Sequence, residues 1–339
     1  MSSNPGLPVG WPVSVPTALE RVQQLKRTGS LDEAVIELEA LLAQAPDHAI
    51  ALTHLADLQL RRGRIEEARG ALDRAEAAAG TTRVTAGLRG DVLFRTQRWQ
   101  EAARAYQDAV ALGDSGTRPL LQLARCRFRL KDLDGARGAV AAALERDPTV
   151  AAAWVMLGDL AAREGRLDEA EAMFERAHQH APADEFAYAK LVEARLLRLP
   201  PDRRAREVDV LLKSSGRGNR HLLGVLARLH SALDDEERAA DVWRRRAEQH
   251  GDDLYARKME GYALRRAGRL DEAAPILRRC LLADPEDLIL FRTYVHLQRR
   301  RNALDELRRA LEELLPYAGS RRGAVYGELR KLGTPEPKE

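Results

Sequence analysis

No run in the 339 residues approaches the roughly 18 consecutive apolar residues that a membrane span requires. The opening MSSNPGLPVGWPVSVP has neither a basic start nor a continuous apolar core, so it does not read as a secretory signal. Cysteine is scarce: Cys126 and Cys280 lie far apart on helix faces expected to pack, and read as reduced, buried thiols suited to the cytoplasm. Strand-forming residues never alternate over a useful length, which argues against a sheet. Charge of one sign is missing too: 55 Lys and Arg against 52 Asp and Glu leave +3, which implies no general attraction to nucleic acid. His-Glu-x-x-His, closely paired cysteines and Gly-x-Ser-x-Gly are all absent. His178 and His180, two apart on a helix, diverge and cannot chelate together. The carboxylates serve as turn, cap and solvated helix residues, so the chain reads as a non-enzyme with no cofactor and no metal.

What is present is helix and repetition. Hydrophobic residues make up 45% and charged residues 32%, and Ala, Leu, Arg and Glu dominate, all favourable to helix. The clearest unit is 151–184, AAAWVMLGDLAAREGRLDEAEAMFERAHQHAPAD. Apolar residues recur three, four and seven apart in two runs separated by Gly165-Arg166, which predicts two amphipathic helices joined by a tight turn. Small Gly158 and Ala170 are expected where the helix backbones approach, Trp154, Leu157 and Phe174 in wider gaps, and Pro182 as the stop. Five such units follow without a gap from Val15, Ala49, Arg83, Thr117 and Ala151, and the interval between starts is the same each time. Register position 8 reads Val22, Ala56, Gly90, Ala124, Gly158; position 20 is alanine throughout; position 24 is large, from Leu38 to Phe174.

These positions and this period resemble the tetratricopeptide repeat family over about nine tenths of the chain. The resemblance implies an all-α, right-handed superhelix, here of about nine helix-turn-helix units. Residues 1–14 read as a flexible Pro/Gly-rich leader, in which Trp11 either packs back or serves a partner, and Ser14 is placed to cap the first helix. Regular units occupy 15–184. Residues 185–219 form a divergent unit and joint, where Leu199-Pro200-Pro201 replaces the glycine turn, the second helix is expected over about 204–213, and basic, glycine-rich 214–219 reads as a connector rather than a phosphate cradle. Three further units and a capping helix (322–332) fill 220–332, and 333–339 read as a mobile tail. In the seventh unit Asp234-Asp235-Glu236-Glu237 opposes a positive helix end, in the eighth Pro275 is expected to kink its helix, and in the ninth Leu307 replaces the small residue of position 20.

The resemblance also implies which side chains line the concave face: positions 2, 5, 6, 9, 12 and 13 of each first helix. Position 9 places Asp57, Asp91 and Asp159 in a line interrupted by Arg125, and later Tyr262 and His296. Position 13 supplies Arg27, Arg61, Arg95, Arg129, Arg163, Arg266 and Arg300, read either as helix termination or as an anion ladder. An apolar stripe of Ile50, Leu60, Val84, Leu88, Phe94, Leu121, Phe128, Val155 and Met156 borders the same side. The last third is more basic, with 17 basic and 11 acidic side chains over 254–332. Its inner face is expected to show Tyr255, Lys258, Met259, Tyr262, Arg265, Arg266, Arg292, His296, Arg299 and Arg300. The Lys and Asn pair by which some family members grip a terminal carboxylate is missing. The expected function is a protein-interaction adaptor or scaffold taking a peptide or partner helix in the groove. Self-assembly into a homo-oligomer and RNA binding are the alternatives, the latter disfavoured by the interleaved acids.

Overall fold

A computed structural model describes residues 15–214, 218–251 and 253–333. The leader with Trp11 and Ser14, the centre of the 214–219 connector and the tail beyond 333 lie outside the described residues. Within them every regular element is a helix. The first pairs are α1 (Val15–Thr28) with α2 (Leu31–Gln44), α3 (Ala49–Arg61) with α4 (Ile65–Ala79), α5 (Arg83–Arg95) with α6 (Trp99–Ala111), and α7 (Arg118–Arg129) with α8 (Leu133–Arg146). Then come α9 (Ala151–Arg163), α10 (Leu167–His180), α11 (Glu185–Leu197), α12 (Pro201–Ser214), α13 (Arg220–Ala232) and α14 (Glu236–Gln249). The chain continues with α15 (Leu254–Arg266), α16 (Leu270–Ala283), α17 (Leu288–Arg300), α18 (Leu304–Leu314), two short 3-10 turns and α19 (Arg322–Lys331). It divides into two compact units, one ending at Leu160 and the other starting at Ala161, within α9. No helix among the described residues is long and apolar enough to cross a membrane.

The turn inside each pair is set by one backbone conformation. Register position 15 takes a left-handed φ in Gly29, Gly63, Gly165 and Gly268, where glycine adopts it freely. Gln97 (φ 61), Lys131 (φ 65), Asp234 (φ 59) and Asn302 (φ 55) take the same conformation against the resistance of a Cβ. The following amide returns to the carbonyl five residues back in these turns, as in Ser30 N to Leu25 O (3.0 Å), Arg98 N to Leu93 O (2.9 Å) and Ala303 N to Gln298 O (3.0 Å). That bond closes the first helix by meeting a carbonyl it would otherwise leave open.

Closure of each pair depends on a small residue receiving a large one. A Cβ placed on Gly90 would lie 2.5 Å from the Tyr106 ring, and one on Gly261 would lie 2.5 Å from Leu277. At these two units the position-24 side chain sits directly on the position-8 glycine. The position-24 side chains Leu38, Leu72, Tyr106, Val140, Trp243 and Leu277 are all buried. Leu307 is fully buried, and α19 lays Val325 and Leu329 into the same core cluster. Pro275 lies inside α16, which continues past it to Ala283.

Ion pairs stitch successive pairs together at a second fixed interval. Arg62 reaches Asp32 (2.7 Å), Arg198 reaches Asp168 (2.6 Å), Arg266 reaches Glu236 (2.6 Å) and Arg301 reaches Asp271 (2.8 Å), each partner lying equally far back in the sequence. The acid run at 234–237 thus does more than oppose a helix end: Asp235 caps α14 through Arg238 N (3.1 Å), and Glu236 anchors Arg266.

The divergent unit solves its turn differently. Proline disfavours a helical residue before it and lacks an amide, so Leu199-Pro200 cannot form the glycine turn. Arg204 instead donates to the carbonyls of Leu196, Leu197 and Leu199, each at 3.0 Å, closing α11 with a side chain. The second helix begins at Pro201 rather than near 204, because proline is favourable in a first turn where no amide partner is needed. Gly218 and Asn219 are engaged by protein groups: Gly218 N donates to Gln249 Oε1 (3.2 Å), and Asn219 caps α13.

Two substitutions test these constraints with opposite signs. Gly90→Ala is expected to lower stability by about 1–3 kcal/mol, because the buried Tyr106 ring must shift. Lys131→Gly, at an exposed left-handed position, is expected to raise it by roughly 0.5–1 kcal/mol, the strain relieved less the glycine entropy. Urea-unfolding midpoints read both.

Candidate interaction groove

In the N-terminal unit, the exposed sides of α3, α5 and α7 enclose a hollow of about 470 Å3 lined by Asp57, Leu60, Arg61, Asp91, Arg95, Arg118 and Gln122. It brings together four residues expected from the register: Asp57, Arg61, Asp91 and Arg95. Arg118 and Gln122 were not singled out, although they occupy positions 2 and 6 of their unit, where the register places groove residues. A second hollow of about 310 Å3 shares Asp57 and Arg118 and is lined also by Lys26, Thr53, His54, Val84, Leu88 and Tyr106.

The aspartates do not present an open negative line. Asp57 takes Lys26 Nζ from the preceding unit and Arg61 Nε (3.2 Å) from the next turn of its own helix. Burial pushes the Asp57 carboxyl upward, but Lys26 and Arg61 outweigh it and hold the group below the usual carboxylate range. Burial and then the Lys26 charge keep the neighbouring His54 below the usual histidine range. Asp91 accepts from Tyr106 Oη (2.8 Å) and Arg118 Nη2 (2.5 Å). Burial, followed by the Asp91 charge, raises the Tyr106 phenol far above its ordinary range, so it remains a proton donor to Asp91. Three guanidinium groups thus face two carboxylates in the larger hollow.

The arginines of position 13 do not form one anion ladder. Arg95 donates to Leu60 O (2.5 Å), Arg129 lies over the Trp99 ring at 5.8 Å, and Arg266 is held by Glu236. Their spacing is regular, but their nearest acceptors differ, so each guanidinium turns its own way. Arg125 is exposed and bonds to Gln122 (3.0 Å), Asp159 is half-buried, Arg163 is exposed, and the latter two also engage neighbours.

The apolar stripe is corrected as well. Leu60, Leu88 and Val155 are buried, Phe94 packs edge-on against Trp99 at 4.8 Å, and Met156 packs on the core. Packing of adjoining helices takes these side chains inward and leaves Ile50 and Val84 exposed. In the C-terminal unit Lys258 pairs with Asp287 (2.8 Å), Arg299 with Glu328 (2.6 Å), and Arg301 with Asp271 and Glu306. Arg299 and Arg301 are therefore engaged by carboxylates, while Arg300 is exposed. Arg265 and Tyr262 are half-buried, while Tyr255, Arg266, Arg292 and His296 are exposed.

Both cysteines are free and buried, and burial pushes the Cys126 thiol up to about 11, which keeps it protonated and unreactive. Among the described residues no group of His, Cys, Asp and Glu could hold a metal ion.

Paired helices in one repeating register, closed by the same turn and opening a polar hollow along their first helices, define an all-α helical-repeat protein. The chain belongs to the tetratricopeptide repeat family. The tetratricopeptide repeat-like domain matches residues 14–125, and tetratricopeptide repeat models match 121–185 and 259–287. Among solved structures, a tetratricopeptide repeat protein from Parabacteroides merdae aligns with a TM-score of 0.59 at 17% identity, covering 74% of this chain and 98% of that one. Yeast Tom70 aligns with a TM-score of 0.60 at 16% identity, covering 81% of this chain and 58% of that one. These likenesses bear on the fold, a right-handed superhelical repeat. No curated protein matches the sequence.

The lowered Asp57 carboxyl has a pH consequence. A depressed folded value adds stability above the ordinary carboxylate range and loses it as pH falls through the folded value. Asp57→Asn is expected to flatten the acid limb of the stability profile between about pH 5 and pH 3. Urea midpoints measured across that range on both proteins check it.

Proposed function

We propose that the protein is a non-catalytic interaction scaffold that receives a peptide segment of a partner protein in the N-terminal hollow. The observation that carries this reading is the excess of guanidinium over carboxylate in a 470 Å3 recess open along α3, α5 and α7. Arg95 and Arg118 offer the remaining N–H groups of their forks to an incoming carboxylate, the geometry in which charge-assisted hydrogen bonds are strongest. Val84, exposed at the rim of the adjoining hollow, gives an apolar side chain of the same peptide a surface beside that carboxylate. Asp57 and Asp91, each engaged by its own cations, would orient those cations while disfavouring a second acid at the same point. A cytoplasmic setting suits the two buried free thiols.

A synthetic random-peptide library selected on the immobilised full chain tests the reading. Selected peptides are expected to carry Asp or Glu beside an apolar residue. In anisotropy titrations the double variant Arg95→Ala/Arg118→Ala is expected to bind them at least about tenfold more weakly, the scale of losing one or more charged hydrogen bonds. Equal affinity for wild type and variant, with helical circular dichroism unchanged, overturns the assignment.

A further inference from the structure

In the C-terminal unit, α15 and α17 form a separate surface that shares no residue with the hollow. Two side-chain links tie these first helices together: Lys258 with Asp287 (2.8 Å) and Tyr262 with Thr293. Tyr255 and Ile289 stand at the same register position of successive repeats, and are 48% and 72% exposed. The Tyr255 ring is held before any ligand arrives. Its edge contacts Trp243 at 5.7 Å, and Arg246 lies over it at 5.4 Å while donating to Asp253 at 3.0 and 2.7 Å. A side chain already fixed loses little conformational freedom on binding.

Beside these anchors runs Arg292, His296 and Arg300, spaced four residues apart and so on one face of α17, over about 12 Å. All three are exposed, and no carboxylate among the described residues pairs with them. The contrast lies next to them: Arg299 holds Glu328, and Arg301 holds Asp271 and Glu306. Arg62, Arg198 and Arg266 likewise meet acids of the preceding repeat, whereas this row has no carboxylate partner among the described residues.

We propose that the α15–α17 face docks an acidic segment of a partner protein, with apolar side chains on Tyr255 and Ile289 and carboxylates on Arg292, His296 and Arg300. Charge complementarity selects an acidic partner. The pairing of one aromatic anchor with an aliphatic one favours protein over single-stranded nucleic acid, whose bases require successive ring faces for stacking. The inference does not rest on the N-terminal hollow, so either assignment can fail alone.

The test uses the full chain and four fluorescein-labelled probes: a peptide of alternating Glu and Leu clusters, its Lys-for-Glu counterpart, a Glu-only peptide and an oligouridylate. The Glu/Leu peptide is expected to bind wild type. Arg292→Glu/Arg300→Glu is expected to weaken it at least tenfold, and Ile289→Asp at least threefold, each measured in the Arg95→Ala/Arg118→Ala background so that the N-terminal hollow, which selects the same chemistry, does not contribute. The Glu-only peptide is expected to bind at least threefold more weakly. If the charge-reversed variant loses helical circular dichroism, Arg292→Gln/Arg300→Gln replaces it, with a loss of at least threefold expected. Absent binding of the Glu/Leu peptide, equal binding to the charge variants, equal binding of the Lys counterpart, or displacement by the oligouridylate overturns the proposal.

Discussion

A bulky side chain at the twenty-fourth position of each repeat must find room against the eighth position of its partner helix. Glycine meets tyrosine at 90 and 106, and glycine meets leucine at 261 and 277. Alanine stands opposite leucine at 56 and 72 and opposite tryptophan at 227 and 243, all fully buried. Interiors pack at crystal-like density, so the size of one member limits the other. Because a helix pair cannot bury its apolar face alone, that contact also sets how the next pair approaches, and the groove follows from it.

The left-handed turn is the complementary constraint, acting on backbone rather than volume. It is so regular that Gln97, Lys131, Asp234 and Asn302 accept it without the freedom of glycine. The exception at Leu199-Pro200 is instructive, since there the Arg204 side chain supplies donors to carbonyls at and just beyond the end of α11. Backbone groups at a helix end require partners, and the chain meets that requirement by whichever route its residues permit.

Charge is where regular spacing and actual chemistry separate. Arginines at 62, 198, 266 and 301 use one constant interval to hold acids of the preceding repeat. Such pairs on a solvated surface add little stability singly. Their larger consequence is selective, because they decide which guanidinium groups stay open to a ligand. Asp57 and Asp91 belong to this internal pairing, which is why a row of aspartates in the sequence becomes a recess with cationic excess.

The helical hairpins, their register, the small and large core positions and the presence of Asp57, Arg61, Asp91 and Arg95 on one side were legible in the sequence, because each depends on periodicity along a single helix. Arg118 and Gln122 were within reach of the same register. The burial of Leu60, Leu88 and Val155, the engagement of Arg299 and Arg301, and the open row of Arg292, His296 and Arg300 were decided by tertiary structure. Those outcomes depend on which side chains from helices of successive repeats come into contact, and periodicity alone does not choose between one neighbour and the next.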